Sequence, residues 1–148
     1  MTIATGTPAP PIPGLDLSSG HRALFFYKVT CPVCQMVAPV AERMEQAYPG
    51  MFSAIGQDPV PKLDEFAGEY GWSFASTPDL PPYDVSNAYD IEVVPTVVVV
   101  EDGVVTDVVV SWDRDRYEDL SSRLASLSGH PAVTISEEGD GLPSFRPG

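Results

Sequence analysis

Basic residues are scarce. Eight Lys and Arg stand against 21 Asp and Glu, and the resulting formal charge of −13 repels phosphate backbones and anionic lipid headgroups, which argues against nucleic acid or a membrane surface as a partner. Long apolar runs are lacking as well. The valine-rich stretch 91–110 is interrupted by Glu92, Glu101, Asp102 and Asp107, short of the roughly 18 uncharged apolar residues that a membrane span requires. The first twenty residues carry no Lys or Arg and no continuous apolar block, so they lack the basic and apolar parts of a signal peptide. These absences make a soluble, cytoplasmic protein the expectation. Histidine is limited to His21 and His130, isolated from each other and in no ligand pattern. A zinc site built on the cysteines would need both, and a Cys–His hydrolase would need one beside its nucleophile; no motif speaks for either, so no metal is expected.

Cysteine is limited to two residues, Cys31 and Cys34 in Cys31-Pro32-Val33-Cys34. A chain of 148 residues with 43% hydrophobic content can bury a single core without a covalent staple. A bridge closing so small a loop would remove little unfolded-state entropy, so chemistry is the better account of the pair than stability.

The chain opens with four prolines between Thr2 and Pro13, a composition that resists helix and predicts an extended, poorly ordered surface arm over 1–20. Ala23 to Tyr27 is a short apolar run without alternation, as expected of a strand buried on both faces. From Val33 to Tyr48 apolar residues recur at three- and four-residue spacing, an amphipathic helix ended by Pro49-Gly50. Pro32 suits its first position, and Pro39 predicts a kink inside it. Met51–Gln57 reads as a second strand parallel to the first, Lys62–Tyr70 as a helix closed by Gly71, Trp72–Ser76 as a short strand, and Val85–Tyr89 as one or two helical turns. Thr96–Glu101 and Val104–Ser111 flank Asp102-Gly103, the clearest hairpin signal present. A last helix carries Tyr117, Leu120, Leu124 and Leu127; Asp113 or Asp115 opens it with Glu118 placed for a capping box, and Gly129 closes it. The domain proper is thus 21–129, followed by an irregular acidic tail over 130–148.

Both sulfurs fall in the first turn of the helix that follows the first strand. Unpaired N–H groups and the positive end of the helix dipole favour a thiolate on Cys31. Cys34, nearly one turn deeper, is expected to be less exposed and to act as the resolving thiol. Lys28 sits close enough in sequence to add positive potential, although a lysine at a strand end is more simply solvated. Trp72, Trp112, Pro81 and Pro82 are candidates to shape a groove beside the pair; the simpler reading packs Trp112 at the end of the last strand and Trp72 under its loop.

The strand ending in Cys31-Pro32-Val33-Cys34, Pro39 and Val94-Pro95-Thr96 together resemble the thioredoxin fold. Gly56-Gln57-Asp58, Phe74 and Tyr89–Thr96 are similar to its redoxin branch, which includes the TlpA- and ResA-type oxidoreductases and the peroxiredoxins. The resemblance covers about 23–127. It implies an α/β three-layer sandwich, a central mixed sheet flanked by helices, with Pro95 cis against the dithiol and the backbone of Val94 pairing with the substrate chain. Pro32 and Val33, between the sulfurs, complete the implied substrate contact.

Two departures stand out. Thioredoxins place a buried acid where this chain has Phe25, and they commonly place Trp where it has Thr30. The peroxiredoxin pattern of a Thr or Ser three residues before the peroxidatic cysteine, with a Pro four before that, fails in both registers: Lys28 and Leu24 before Cys31, Cys31 and Tyr27 before Cys34. The expectation is a monomeric thiol-disulfide oxidoreductase with Cys31 as nucleophile and Cys34 as resolving cysteine. It needs no bound cofactor, and it works on protein or small-thiol substrates with a reducing partner. A thiol peroxidase and a redox-inert peptide-binding module are the competing readings.

Overall fold

The computed structural model describes residues 2–148. Its centre is β1 (His21–Tyr27), whose residues 23–27 have no exposed surface. Alternate residues face opposite sides of a strand, so a strand in mid-sheet with both sides covered must be apolar throughout. Ala23, Phe25 and Tyr27 enter one core, and Leu24 and Phe26 the other.

β1 leads into α1 (Pro32–Ala47), which returns to β2 (Phe52–Gly56), parallel to β1 with Ala23 beside Phe52 and Tyr27 beside Gly56. α2 (Val60–Tyr70) then leads to β3 (Ser76–Pro78), parallel to β2, and α3 (Asp84–Ala88) precedes the hairpin of β4 (Thr96–Glu101) and β5 (Val104–Val110). β4 lies antiparallel to β1, giving the five-stranded order β3-β2-β1-β4-β5. Asp102 and Gly103 take positive φ at the hairpin tip, the conformation that an Asp-Gly turn supplies. β6 (Trp112–Asp113), α4 (Arg114–Ser128) and β7 (Phe145–Arg146) complete the chain.

α1, α2 and α4 share one apolar core with the first sheet face, through Val37, Met44, Leu63, Phe66, Leu120 and Leu124. The crossover from α1 to β2 is held by Glu45, a buried carboxylate that accepts the backbone N–H groups of Gly50, Met51 and Phe52 at 2.7, 3.1 and 2.8 Å. The three layers and the mixed sheet are those expected from the sequence.

Several local expectations are corrected. The strand after α2 is Ser76–Pro78 rather than 72–76, because Trp72 and Phe74 turn their rings into an aromatic cluster and pairing begins only where Ser76 meets Ala54. Asp113 caps α4, accepting from the N–H of Arg116, but Glu118 forms no capping box: its carboxylate takes the N–H groups of Ile135 and Ser136, both at 2.7 Å, and fastens the following segment. That segment is not wholly irregular, since β7 pairs with β6.

The proline-rich arm is extended but does not trail on the surface. Ile3 and Ile12 are 7% and 3% exposed and pack with Leu24, Phe26, Val98 and α3 over the second sheet face. Gly6 donates to the Val105 carbonyl, Val105 to Thr7 and Ala9 to Gly103, so the arm runs along β5. Ile12→Ala is expected to cost about 2–4 kcal/mol of unfolding free energy in urea titrations. A loss under about 0.5 kcal/mol, the value for an exposed site, would show that the arm does not cover the core.

Candidate active site

Because β1 and β2 are parallel and β4 starts where β1 ends, the loops after β1 and before β4 meet at one end of the sheet. Cys31 and Val94-Pro95 sit there. Cys31 occupies the N-cap of α1 in extended conformation, with Pro32 opening the helix as expected. A sulfur therefore stands where a capping oxygen usually does. The Cys34 N–H donates to Cys31 Sγ across 3.2 Å. The first turn of α1 carries no acidic residue.

The loop before Cys31 is clamped from both sides. Asp58 accepts the Val29 N–H at 2.9 Å, Gln35 donates its side-chain amide to the Val29 carbonyl at 2.8 Å, and the Cys31 N–H closes a turn onto the Lys28 carbonyl. Neither Gln35 nor the clamping role of Asp58 was apparent from the sequence. A polar residue one turn into a helix reads as solvent-facing until the loop behind it is seen.

The two thiols differ. Both are free, Cys34 is fully buried and Cys31 is half-buried. Burial, then the hydrogen bond to Cys31, pushes the Cys34 thiol far above the ordinary cysteine value. Phe25 lies wholly in the core where a thioredoxin has its acid. The Tyr117 hydroxyl, from α4, is buried without a hydrogen-bond partner among the described residues, and its electrostatic coupling is to Cys34. No group of three or more His, Cys, Asp or Glu is arranged to hold a metal among the described residues.

Across from the pair, the Val94–Pro95 bond is cis and Pro95 is buried. The Cys31 thiol donates to the Val94 carbonyl at 3.5 Å, so these sequence-selected residues do come together. Thr96 holds the loop through its hydroxyl, which donates to the Val93 carbonyl at 2.8 Å. Of the two residues between the sulfurs, Pro32 is exposed, whereas Val33 buries its side chain in the core at 5% exposure. Lys28 is exposed. The tryptophans take the simpler of their two readings: Trp112 is fully buried and donates to the Pro143 carbonyl, and Trp72 packs among Phe25, Tyr27, Phe66 and Phe74 while donating to the Ala38 carbonyl. A groove beside Val29 is lined instead by Gln35, Lys62 and Phe66.

No protein-family model and no curated protein matches the chain. Solved structures do. A secreted Mycobacterium tuberculosis disulfide oxidoreductase homologous to E. coli DsbE is 26% identical, with a TM-score of 0.65 over 84% of this chain and 96% of that one. MTB dsbF, solved in mixed oxidized and reduced forms, is 28% identical, with a TM-score of 0.64 over 75% and 83%. A thiol:disulfide interchange protein from Bacteroides sp. is 18% identical, with a TM-score of 0.71 over 95% and 97%, a likeness of fold alone. The fold is thioredoxin-like, and its solved neighbours include disulfide oxidoreductases.

A thiol whose folded pKa is raised binds its proton more tightly in the folded state. Its stability contribution is complete below the unfolded value and is lost as pH climbs toward the folded one. Burial acts the same way on the phenols of Tyr27, pushed up to about 12, and of Tyr89 and Tyr117. Unfolding free energy is therefore expected to stay level from about pH 7 to about pH 8.5 and to fall above about pH 9, with Cys34→Ala flattening the first part of that fall. Identical slopes in wild type and Cys34→Ala would contradict the assigned burial of the thiol.

Proposed function

We propose that Cys31 and Cys34 form the exchanging dithiol of a thiol-disulfide oxidoreductase, with Cys31 as the attacking sulfur and Cys34 as the resolving one. The observation that carries this reading is the inequality of the pair. One half-buried sulfur caps a helix and receives an N–H, and the other is fully buried behind it and held as a thiol. Likeness at 26% identity to a secreted disulfide oxidoreductase, and at 28% to MTB dsbF, which was solved in mixed oxidized and reduced forms, supports the same class.

Cys31 thiolate attacks one sulfur of a substrate disulfide, forming a mixed disulfide and releasing the other substrate sulfur as thiolate. Cys34 then attacks Cys31 Sγ, the mixed disulfide breaks, and the second substrate sulfur leaves carrying the proton that Cys34 gives up. Two electrons have passed to the substrate and the protein holds a Cys31–Cys34 disulfide, which a dithiol partner reduces. Run backwards, the same steps oxidise a dithiol, and the compartment's redox poise selects the direction. In a cytoplasmic setting, the one expected from the sequence, reduction is the working direction.

Val94 and Pro95 would line the approach of the substrate chain together with Pro32, the exposed residue between the sulfurs. In assays with a disulfide-bonded protein, Cys31→Ser is expected to abolish exchange. Cys34→Ser is expected to accumulate a mixed disulfide on Cys31 that is visible by non-reducing electrophoresis and mass spectrometry. Absence of that adduct, or hydroperoxide consumption that outruns disulfide exchange, would count against the assignment and in favour of a thiol peroxidase. Unchanged function in Cys31→Ser would favour a peptide-binding module.

A further inference from the structure

The segment Ser144–Gly148 ends against the dithiol site. Its approach is firmly held. Arg114 donates to the Leu142 carbonyl at 2.7 Å, Trp112 to the Pro143 carbonyl at 2.6 Å, and the Arg114 N–H to the Ser144 carbonyl at 2.9 Å. β7 then pairs with β6, Asp113 beside Phe145 and Trp112 beside Arg146, and the Arg146 guanidinium comes within 4.0 Å of Met36 Sδ on α1. Beyond it the Gly148 N–H donates to the Ser111 hydroxyl at 3.0 Å. Gly148 lies so close to Val94 that a Cβ added to it would sit 2.0 Å from the Val94 carbonyl oxygen, 2.8 Å from its carbon and 3.4 Å from Pro95 Cδ. Only a residue without a side chain fits that seat.

The Val94 oxygen is also the atom that Cys31 Sγ faces at 3.5 Å. A disulfide bond to Cys31 is about 2 Å long, so a substrate sulfur joined there lies within about 5.5 Å of that carbonyl, and its chain must take up the space beside it. Two chains cannot share it. We propose that Ser144–Gly148 is a built-in competitor for this position: it occupies the Val94–Pro95 edge and must lift before an extended substrate chain can lie beside Cys31. The inference rests on the oxidoreductase reading and adds its regulation.

The strap is built to come away without disturbing the fold. Residues 143–148 are all exposed, Phe145 at 54%, and the ladder with β6 is two residues long. The apolar residues that the preceding segment contributes to the core, Ile135 and the partly buried Leu142, lie upstream of it. Lifting 144–148 therefore uncovers little apolar surface, and segments of that kind open at the low end of the local-stability range.

The test compares the full chain with two variants, Gly148→Ala, whose Cβ cannot share the space of the Val94 carbonyl, and a deletion of 145–148. The reduced proteins react with an extended peptide carrying a thiopyridyl disulfide, from which Cys31 displaces the thiopyridyl sulfur, and separately with iodoacetamide, which needs no backbone contact. A strap closed for most of the time lowers the competent fraction, so both variants are expected to react with the peptide at least about threefold faster while iodoacetamide rates stay unchanged. A peptide-to-iodoacetamide rate ratio equal to that of the full chain in both variants overturns the proposal. The oxidoreductase reading is judged separately, by whether Cys34 subsequently releases the peptide thiol; the rate ratio decides the strap either way.

Discussion

One hydrogen bond organises the chemistry, the Cys34 N–H to Cys31 Sγ at 3.2 Å. It exists only if α1 starts at Pro32, because an N-cap group reaches only the first-turn N–H groups that the helix leaves unpaired. Three arrangements fix that start. β1, buried on both faces, cannot slip by one residue without sending Phe25 and Phe26 to the wrong cores. Asp58 and Gln35 hold the two backbone groups of Val29 just ahead of the cap. At the far end, Glu45 ties the exit of α1 to β2 through three N–H groups. The helix cannot rotate or shift along its axis without breaking contacts at both ends.

From this placement follows the inequality of two chemically identical side chains, on which the proposed roles rest. Cys31 is half-buried at the positive end of a helix with no acid in its first turn, in a protein whose surface is otherwise strongly acidic. Cys34, three residues on, falls on the buried face and keeps its proton. A resolving thiol that ionised freely would compete with Cys31 for the substrate disulfide. One that is held neutral waits until the mixed disulfide offers it a leaving group. Phe25 lies in the same apolar core as Cys34, at the position where thioredoxins place an acid, so in the proposed exchange the timing would lean on desolvation more than on a neighbouring base.

The site was legible in the sequence wherever a local rule and a long-range one agreed. The unbroken run 23–27, Pro32 at the helix start and Asp102-Gly103 each specify a conformation that the tertiary structure also needs. Four prolines defeat helix and ladder rules alike and so predict a loose arm, yet an extended chain needs neither when a sheet face and an edge lie open beside it. Glu118 satisfies the spacing of a capping box, but the capping residue is Asp113, and the carboxylate serves a segment whose position no local pattern announces. The seat of Gly148 against Val94 is a contact across 54 residues of sequence, carried by no motif at all.

Prolines also decide where another chain can approach. An exposed strand edge offers unpaired N–H and carbonyl groups to any extended peptide. β3, one edge of the sheet, is three residues long and ends in Pro78; β5, the other, is covered by an arm in which Pro8, Pro10 and Pro11 have no N–H to present outward. Both edges are thereby poor templates for a further strand. The Val94–Pro95 loop is different. Its carbonyl stands beside the reactive sulfur at the end of the sheet, in a backbone that is only partly buried, and what lies on it is a short, exposed stretch of the protein's own chain. A fold that blunts both edges and leaves this carbonyl under a removable strap directs extended chains to the dithiol rather than to the flanks of the sheet.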